Sequence, residues 1–424
     1  MKIFAWSLVC ALCFWACSDD NATNASPAED SSGSLGMLSS DARDLSSDAS
    51  DVFVESSESV FLSGGSGESS SSDFVEMEFS SSSAWDVSVS SADDSNPENF
   101  SSAGVGSSSS RSVSFEEIVF AADISESQLE RAEEFRRTVL DSSGRTRNAV
   151  YVYTKTVGDF SAEPEKLAAR IALLGFRDVY LSPGKSLYEN PNDWIRSFIR
   201  TLTKYGIKVH AQRLPVTGSG SAELLTSESA IDAEVGLVTG YNGLVEPDER
   251  FSGLNADIEV HTIRSGFEYV WDKGAGSDSL LRMAQSALEY AKGKLEVEGL
   301  ELSEAVAMSY DKYYGDGTFA NGSSGHFLKS CDWVVLMDYY TKDSQIQRYA
   351  KASFDNATKN RSVSVALKVK GTGSDAFQNW ETLLASLRAL FAESIDYRNA
   401  KGLTPFLGLD FFTYEGLENL WFKD

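Results

Sequence analysis

Two patterns of hydrophobic and polar positions alternate along the chain from about residue 125 to its C-terminus. Short apolar runs, several with the two-residue period of strands, are separated by longer stretches with the period of amphipathic helices. Strands are predicted at Ala149–Tyr153, Asp178–Ser182, Ile207–Arg213, Gly253–Val260, Ala305–Ser309, Trp333–Tyr339, Val363–Val369 and Phe406–Phe411. Helices are predicted before and between them, among them Ser125–Leu140, Glu163–Leu174, Trp194–Tyr205, Ser277–Lys292 and Ala376–Glu393.

Strand followed by helix, repeated around eight strands, predicts an α/β fold, a (β/α)8 barrel of the TIM type. A doubly wound open sheet is the alternative, but the Gly-rich nucleotide loop typical of that fold does not follow the first strand. Ser125 with Gln128 three residues later forms a possible capping box at the start of the preceding helix. We therefore predict that residues 113–424 form a barrel with an N-terminal helix.

The fourth predicted strand has three polar residues at alternate positions. In the stretch Phe251-Ser-Gly-Leu-Asn-Ala-Asp-Ile-Glu-Val-His261, these are Asn255, Asp257 and Glu259. Residues two apart on a strand point the same way, so the three polar groups share one face. Burying unpaired carboxylates costs free energy, so a row of this kind indicates a functional site.

The first 17 residues carry one positive charge followed by an apolar run that ends before Cys17. The run is too short to span a bilayer stably, and it is typical of an export signal. A processing site just before a cysteine resembles the bacterial lipoprotein signal, in which the cysteine carries the lipid. This resemblance implies a lipid on Cys17 and a lipid-anchored location in the cell envelope, on the outer membrane or the cell surface. An ordinary cleaved signal peptide and an uncleaved anchor are the alternatives.

Residues 18–112 are rich in Ser, Asp and Glu and have no sustained helical or strand period. This composition predicts a disordered linker between the anchor and the barrel. The formal net charge of the chain is −26, and residues 18–111 contain about 18 acidic and 2 basic residues, so most of the charge lies there. Such a charge balance argues against nucleic acid as a partner.

The remaining candidate chemistry lies at the C-terminal ends of the predicted strands, where barrels of this type place their active sites. Carboxylates there are interleaved with aromatic rings, a combination suited to a sugar, because carboxylates bond hydroxyl groups and rings stack on pyranose faces. The candidate residues besides the fourth-strand row are Arg213, His261, Tyr310, Asp338, Tyr339, Tyr340, Lys368 and Asp410. The three histidines show no metal-ligand spacing, so neither a metal nor a cofactor is predicted.

The stretch Ser252-Gly-Leu-Asn-Ala-Asp-Ile-Glu259 resembles the fourth-strand motif of the chitinase-like glycoside hydrolase family. The resemblance implies that Glu259 is the general acid and that Asp257 holds the acetamido group of the substrate during substrate-assisted catalysis. Met337-Asp-Tyr339 is similar to the sixth-strand motif of that family, which implies that Tyr339 positions the reacting sugar. Two acidic positions of the family motif are Ser252 and Asn255 here, and Tyr340 stands where the family has Asp.

A second resemblance covers more of the barrel. The motifs Tyr241-Asn242 and Pro247–Phe251, the Asp-Ile-Glu strand with His261, and the C-terminal stretch from Phe406 to Trp421 are similar to a group of bacterial glycosidase-like barrels. The seventh strand of that group commonly carries a further Glu, whereas this chain has Lys368 and Lys370 on that strand. A lysine beside Glu259 would hold this carboxyl ionised and disable it as an acid.

Three functions follow from these patterns. The first is a glycoside hydrolase that acts on an extracellular or cell-wall polysaccharide, anchored to the membrane through its lipid and monomeric. The second is a non-catalytic carbohydrate-binding barrel, because two acidic positions of the motif are missing. The third is a scaffold or envelope protein whose barrel only folds and which the acidic tether positions. Independently of these functions, a structural interpretation of Asp257 and Glu259 is open, in which the two acids are tied to Arg213 or Lys368 across the barrel.

Overall fold

The structure is a computed structural model of the 424-residue chain. It describes residues 113–140, 147–153, 163–216, 222–265, 268–269, 271, 275–342, 344–347, 350–351, 362–369, 376–401 and 407–423. The predicted signal segment with Cys17, the predicted linker and Lys370 lie outside the described residues.

Eight parallel strands form a closed barrel, which confirms the predicted (β/α)8 fold. The strands are β1 (Asn148–Tyr153), β2 (Asp178–Ser182), β3 (Lys208–Val216), β4 (Gly253–Ile258), β5 (Glu301–Ala307), β6 (Trp333–Met337), β7 (Ser362–Lys368) and β8 (Leu407–Phe412). Each strand pairs with the next along the chain, and β1 pairs with β8, where Ala149 is opposite Asp410. The pairing of β1 with β8 excludes the doubly wound alternative, because an open sheet has two edge strands that do not pair with each other.

Helices lie before and between the strands. They are α1 (Phe115–Ala122), α2 (Glu126–Val139), α3 (Pro164–Leu173), α4 (Lys185–Glu189), α5 (Asp193–Lys204), α6 (Glu228–Leu244), α7 (Ala275–Val297), α8 (Ser309–Gly315), α9 (Ser324–Phe327), α10 (Trp380–Lys401) and α11 (Tyr414–Trp421). The predicted capping box of α2 is confirmed, since the Ser125 hydroxyl accepts the Gln128 N–H and Gln128 accepts the Ser125 N–H at 2.9 Å. After β4, the short segments Arg264–Ser265 and Glu268–Tyr269 pair in antiparallel orientation.

The predicted bounds of the fifth strand are wrong. The sequence pattern predicts Ala305–Ser309, whereas β5 spans Glu301–Ala307. Its first half, Glu-Leu-Ser-Glu, alternates polar and apolar residues too weakly to be recognised as a buried strand. Ser303 and Glu304 are nevertheless fully buried, where Ser303 Oγ accepts Asn255 Nδ2 and Glu304 Oε1 accepts the Ile258 N–H.

Two packed layers hold the barrel. The larger one lies between the strands and the helices, and the smaller one fills the barrel itself around Tyr151, Tyr180, Trp333 and Val335. Gly253, the first residue of β4, leaves no room for a side chain, because a Cβ there would lie 2.7 Å from His210 Nδ1 and closer still to the Glu301 carbonyl. The strand that carries the candidate site therefore begins where its backbone packs directly against β3 and β5.

A charged cluster fills the N-terminal end of the barrel. Arg147 Nε donates to Asp178 at 3.0 Å, His210 Nε2 lies 2.8 Å from the same carboxylate, and the Arg147 guanidinium lies 3.5 Å from the centre of the Trp333 ring system. These contacts fill the N-terminal end of the barrel interior. Active sites of such barrels lie at the opposite, C-terminal end. Within the described ranges, no helix has the length and apolar character needed to cross a membrane.

Candidate active site

The candidate site is built around the C-terminal end of β4. Side chains alternate along the strand, and Asn255 and Asp257 share the face that looks into the barrel. The residues of the opposite face pack between barrel and helices: Leu254, Ala256 and Ile258. Asp257 is partly exposed, and Glu259 directly follows the strand and is partly exposed as well. The structure thus brings both predicted acidic residues to the catalytic end of the barrel.

The protonation of this pair follows from burial and mutual repulsion. Burial raises the pKa of Glu259, and the negative charge of Asp257 raises it further. Burial also raises the pKa of Asp257. Two neighbouring carboxyls in a poorly solvated site do not both ionise easily, so one of them, Glu259, retains a proton near neutral pH.

No cation neutralises the pair in the part of the chain that the structure describes. Across that part, the Glu259 carboxyl has neither a hydrogen bond nor an ion pair, and Asp257 accepts one long bond, from Gln212 Nε2 at 3.5 Å. The hypothesis of a structural acidic pair tied to Arg213 or Lys368 therefore finds no support. Glu259 is left with an available proton rather than a fixed partner.

Tyr151 lies between the acidic pair and the deeper barrel interior. Burial raises its pKa well above the ordinary value, and Tyr180, Tyr339, Asp410 and Asp257 act in the same direction. Its ring centre is 4.7 Å from that of Tyr180. Tyr151 thus forms the floor beneath Asp257.

Asp410 belongs to the layer below this floor. It is fully buried, accepts the Ala149 N–H at 3.0 Å and the Tyr180 hydroxyl at 3.3 Å, and burial raises its pKa to about 8. The Tyr180 hydroxyl also accepts Trp333 Nε1 at 2.9 Å. Asp410 is therefore engaged in the barrel interior, and the geometry does not bring it to a substrate.

Aromatic rings at the ends of β1 and β8 and just after β6 form one wall of the site. The Tyr339 ring centre lies 5.6 Å from that of Phe412, and Tyr153 packs edge-on against the same Phe412 at 5.8 Å. Lys368 Nζ is 5.8 Å from the centre of the Tyr339 ring, so it lies against this wall rather than on Glu259. Tyr340, the next residue after Tyr339, is partly exposed and packs against the outer core.

His261 and Tyr310 form a second cluster beyond Glu259. The Tyr310 hydroxyl accepts the His261 main-chain N–H at 3.4 Å and lies 2.9 Å from its Nδ1. Burial lowers the pKa of His261 to about 4, so the ring is neutral at physiological pH. Tyr310 is fully buried, and the partly exposed Trp271 packs against it at 5.5 Å between ring centres.

Two other predicted site residues lie elsewhere. Arg213 donates through Nε to Glu234 at 2.7 Å on the helix side of β3, and its guanidinium lies 5.3 Å from the centre of the Tyr188 ring. Asp338 is fully buried after β6, and neither of its carboxyl oxygens has a hydrogen-bond partner within the described ranges. Burial raises the pKa of Asp338 to about 8, so it is a neutral acid at pH 7.

Glu304 is a residue of this region that the sequence patterns did not single out. It is fully buried on β5, and its Oε1 accepts the Ile258 N–H at 3.1 Å. Burial raises its pKa well above the ordinary value, and the charges of Asp257 and Glu259 add to this effect. Extending the fifth strand upstream would have revealed it.

Asn255 occupies a position where the chitinase-like motif has an acid. It is fully buried, and its Nδ2 donates to Ser303 Oγ at 2.8 Å. The described residues contain no group of three or more His, Cys, Asp or Glu side chains arranged to hold a metal ion.

No protein-family model matches the sequence, and no curated protein does so. Among solved structures, the chain is similar to a GH18 chitinase from Pseudoalteromonas aurantia, with 14% identity, a TM-score of 0.44, and coverage of 65% of this chain and 97% of that one. It is also similar to the PgaB glycoside hydrolase domain from Bordetella bronchiseptica, at 12% identity, a TM-score of 0.42, and 65% and 96% coverage. A Chromobacterium violaceum chitinase shares 14% identity, a TM-score of 0.38, and 66% and 99% coverage. These are likenesses at low identity, and the (β/α)8 fold rests on the closed barrel of eight parallel strands itself.

Proposed function

We propose that the protein is a glycoside hydrolase that cleaves an extracellular or cell-wall polysaccharide, with Glu259 as the general acid. The observation that carries the proposal is the Glu259 carboxyl at the C-terminal end of a barrel strand, which has a raised pKa, lies near a second carboxyl and has no hydrogen bond or ion pair among the described residues. Perturbed acids in this position are typical of acid–base sites.

Glycosidic cleavage requires a proton on the leaving oxygen as the bond to the anomeric carbon breaks. Glu259 would supply this proton, because burial and Asp257 keep its carboxyl protonated near neutral pH. As the proton leaves, Glu259 becomes an anion, and it regains a proton from the water that attacks in the second step, with the charge of Asp257 favouring the acid form for the next turnover.

The second group in the reaction would come from the substrate. Glu304, which interacts electrostatically with the pair, and Asp410 are both fully buried and already accept hydrogen bonds. An N-acetyl group on the sugar would attack the anomeric carbon through its carbonyl oxygen as the glycosidic bond breaks, and water would then open the cyclic intermediate. Asp257 would hold the acetamido N–H during this step.

The aromatic wall would bind the sugar ring. Tyr339 and Tyr153 present partly exposed rings on either side of Phe412, and Lys368 adds a positive charge beside Tyr339. Apolar faces of a pyranose stack on such rings while its hydroxyls bond polar groups at the edge.

A second candidate function is non-catalytic carbohydrate binding. The observation that favours it is Asn255, whose amide bonds Ser303 where a related hydrolase would have a titratable acid beneath Asp257. A barrel without that acid would keep the shape of the sugar site and lose turnover.

Product release from a panel of polysaccharides, with and without N-acetyl groups, distinguishes the two functions. We expect the wild-type chain to release reducing ends from at least one glycan, and the double variant Asp257→Asn/Glu259→Gln to bind that glycan without cleaving it. Retention of glycans on an affinity gel with no product from the wild type would establish the binding function instead. Neither binding nor cleavage would indicate a scaffold.

We also propose that a lipid on Cys17 anchors the chain in the cell envelope, with residues 18–112 as an acidic tether that holds the barrel away from the membrane. The sequence pattern before Cys17 supports this proposal. We expect the wild type in the membrane fraction and Cys17→Ser in the soluble or uncleaved form. Equal membrane recovery of a processed Cys17→Ser chain would contradict the anchor.

A further inference from the structure

Main-chain pairing between β4 and β5 stops before β4 ends. The two strands pair from Gly253 opposite Glu301 to Ala256 opposite Glu304, whereas β4 continues through Asp257 and Ile258 beside β3. Asp257 and Ile258 at the end of β4, and Glu259 just after it, therefore have no main-chain pairing with β5.

Two successive amides at this strand end point to opposite neighbours. The Glu259 N–H donates to the Val216 carbonyl of β3 at 3.0 Å. The Ile258 N–H donates to Glu304 Oε1 at 3.1 Å, so a side-chain carboxyl takes the place of a main-chain carbonyl of β5. Together the two bonds hold the two peptide units that flank Ile258, one from each neighbouring strand.

Burying the Glu304 carboxyl costs free energy, so packing alone does not explain a glutamate at this position. Glu304 is fully buried, its Oε2 has no hydrogen-bond partner among the described residues, and on ionisation its charge would be repelled by those of Asp257 and Glu259. An apolar side chain would fill the same volume without that cost but would leave the Ile258 amide without an acceptor.

We propose that Glu304 is a positioning residue of the candidate active site: by accepting the Ile258 N–H, it fixes the end of β4 and thereby the placement of Asp257 and Glu259. This inference rests on the proposed function. Glu304 does not touch the substrate, and it acts as a neutral acid, because a third negative charge would be unpaired in the interior.

The test compares Glu304→Gln, which keeps an acceptor of the same length, with Glu304→Met, which fills a similar volume without one. In the full chain, we expect Glu304→Met to lower kcat at least 10-fold with KM changed less than 3-fold, and Glu304→Gln to retain at least a third of kcat. Circular dichroism verifies that both variants are folded. A folded Met variant with wild-type kcat, or a Gln variant as slow as the Met variant, would overturn the proposal.

Hydrogen–deuterium exchange resolved at the Ile258 amide gives a readout that needs no substrate. We expect this amide to exchange at least 10-fold faster in Glu304→Met than in the wild type, and Glu304→Gln to restore its protection. If no glycan is cleaved by any form, the proposed hydrolase function fails, while the exchange pattern still decides whether Glu304 holds the strand end. Equal protection in all three forms would refute that role.

Discussion

Replacing Glu259 with glutamine is expected to slow hydrolysis of the natural polysaccharide by about 10²–10⁴-fold, the usual contribution of a general acid. Glutamine has nearly the shape of the protonated carboxyl but no proton to transfer. Because the wild-type side chain has no hydrogen bond or ion pair among the described residues, its removal leaves no neighbour unpaired. The loss should therefore appear in kcat, with the fold and the thermal midpoint retained.

A substrate with an activated leaving group separates proton donation from other roles of Glu259. Aryl glycosides that leave as stable phenolates need little protonation, so Glu259→Gln should retain far more of its rate on them than on the polysaccharide. Glu289→Gln, an exposed substitution on α7, is the matched control and should match the wild type on both substrates. Equal slowing of Glu259→Gln on both substrates would assign Glu259 to binding rather than proton transfer.

The pH dependence of activity tests whether Asp257 raises the pKa of Glu259. Glu259 must be protonated to act, so activity falls as the pH rises through its pKa, and the charge of Asp257 helps to hold that pKa up. Asp257→Asn removes the charge, and the alkaline limb of its residual activity should move to lower pH. An alkaline limb at the wild-type position would mean that Asp257 does not influence the proton of Glu259.

The acidic pair was accessible to sequence analysis because its signal is local. Alternation along one strand places Asp257 on the same face as Asn255, and Glu259 follows at the strand end where barrels carry out chemistry. Arg213 shows the limit of that logic. It lies at the end of a predicted strand, but its neighbours His210 and Gln212 determine the inward face of β3, so Arg213 points to the helices and pairs with Glu234.

Interactions between residues on distant strands could not be predicted from sequence patterns alone. Glu304 bonds an amide 46 residues away, and Asp410 bonds an amide 261 residues away, so their burial depends on the register of the closed barrel. A charged residue in a weakly alternating stretch has the pattern of a surface position until its partner is known. The same applies to the Arg147–Asp178–His210 cluster.

Replacing Asp178 with alanine is expected to lower the free energy of unfolding by about 3–5 kcal/mol, the usual cost of removing one partner of a buried ion pair. The carboxylate accepts Arg147 Nε at 3.0 Å and contacts His210 Nε2 at 2.8 Å, and both partners are enclosed by Trp333 and the surrounding strands. Without it, the remaining carboxylate within 4 Å of Arg147 among the described residues is that of Glu301, at 3.7 Å. Denaturant unfolding measures the difference.

Glu134→Ala is the matched control, because it removes a surface ion pair with Arg388 in which both side chains are well exposed. Exposed pairs contribute about 0–1 kcal/mol, so this variant should stay near the wild type. A loss for Asp178→Ala no larger than that of Glu134→Ala would mean that the cluster does not stabilise the barrel.

The pH dependence of the Asp178 effect has a definite sign. Burial alone would raise the pKa of Asp178, but Arg147 and His210 outweigh it and lower the pKa to about 2. A carboxyl with a lowered pKa in the folded state stabilises the fold above its ordinary pKa near 4, and this contribution of about 2 kcal/mol is lost as the pH falls towards 2. The gap between the unfolding free energies of wild type and Asp178→Ala should therefore narrow between about pH 5 and about pH 2.

Other buried acids act in the opposite direction and must be separated from this effect. Burial raises the pKa of both Asp338 and Asp410 to about 8, so their contributions to stability are lost as the pH rises through that value. Because both acids are present in both proteins, their contributions largely cancel in the difference between wild type and variant below about pH 6. A gap that stays constant or widens on acidification would show that Asp178 carries no lowered pKa in the folded barrel.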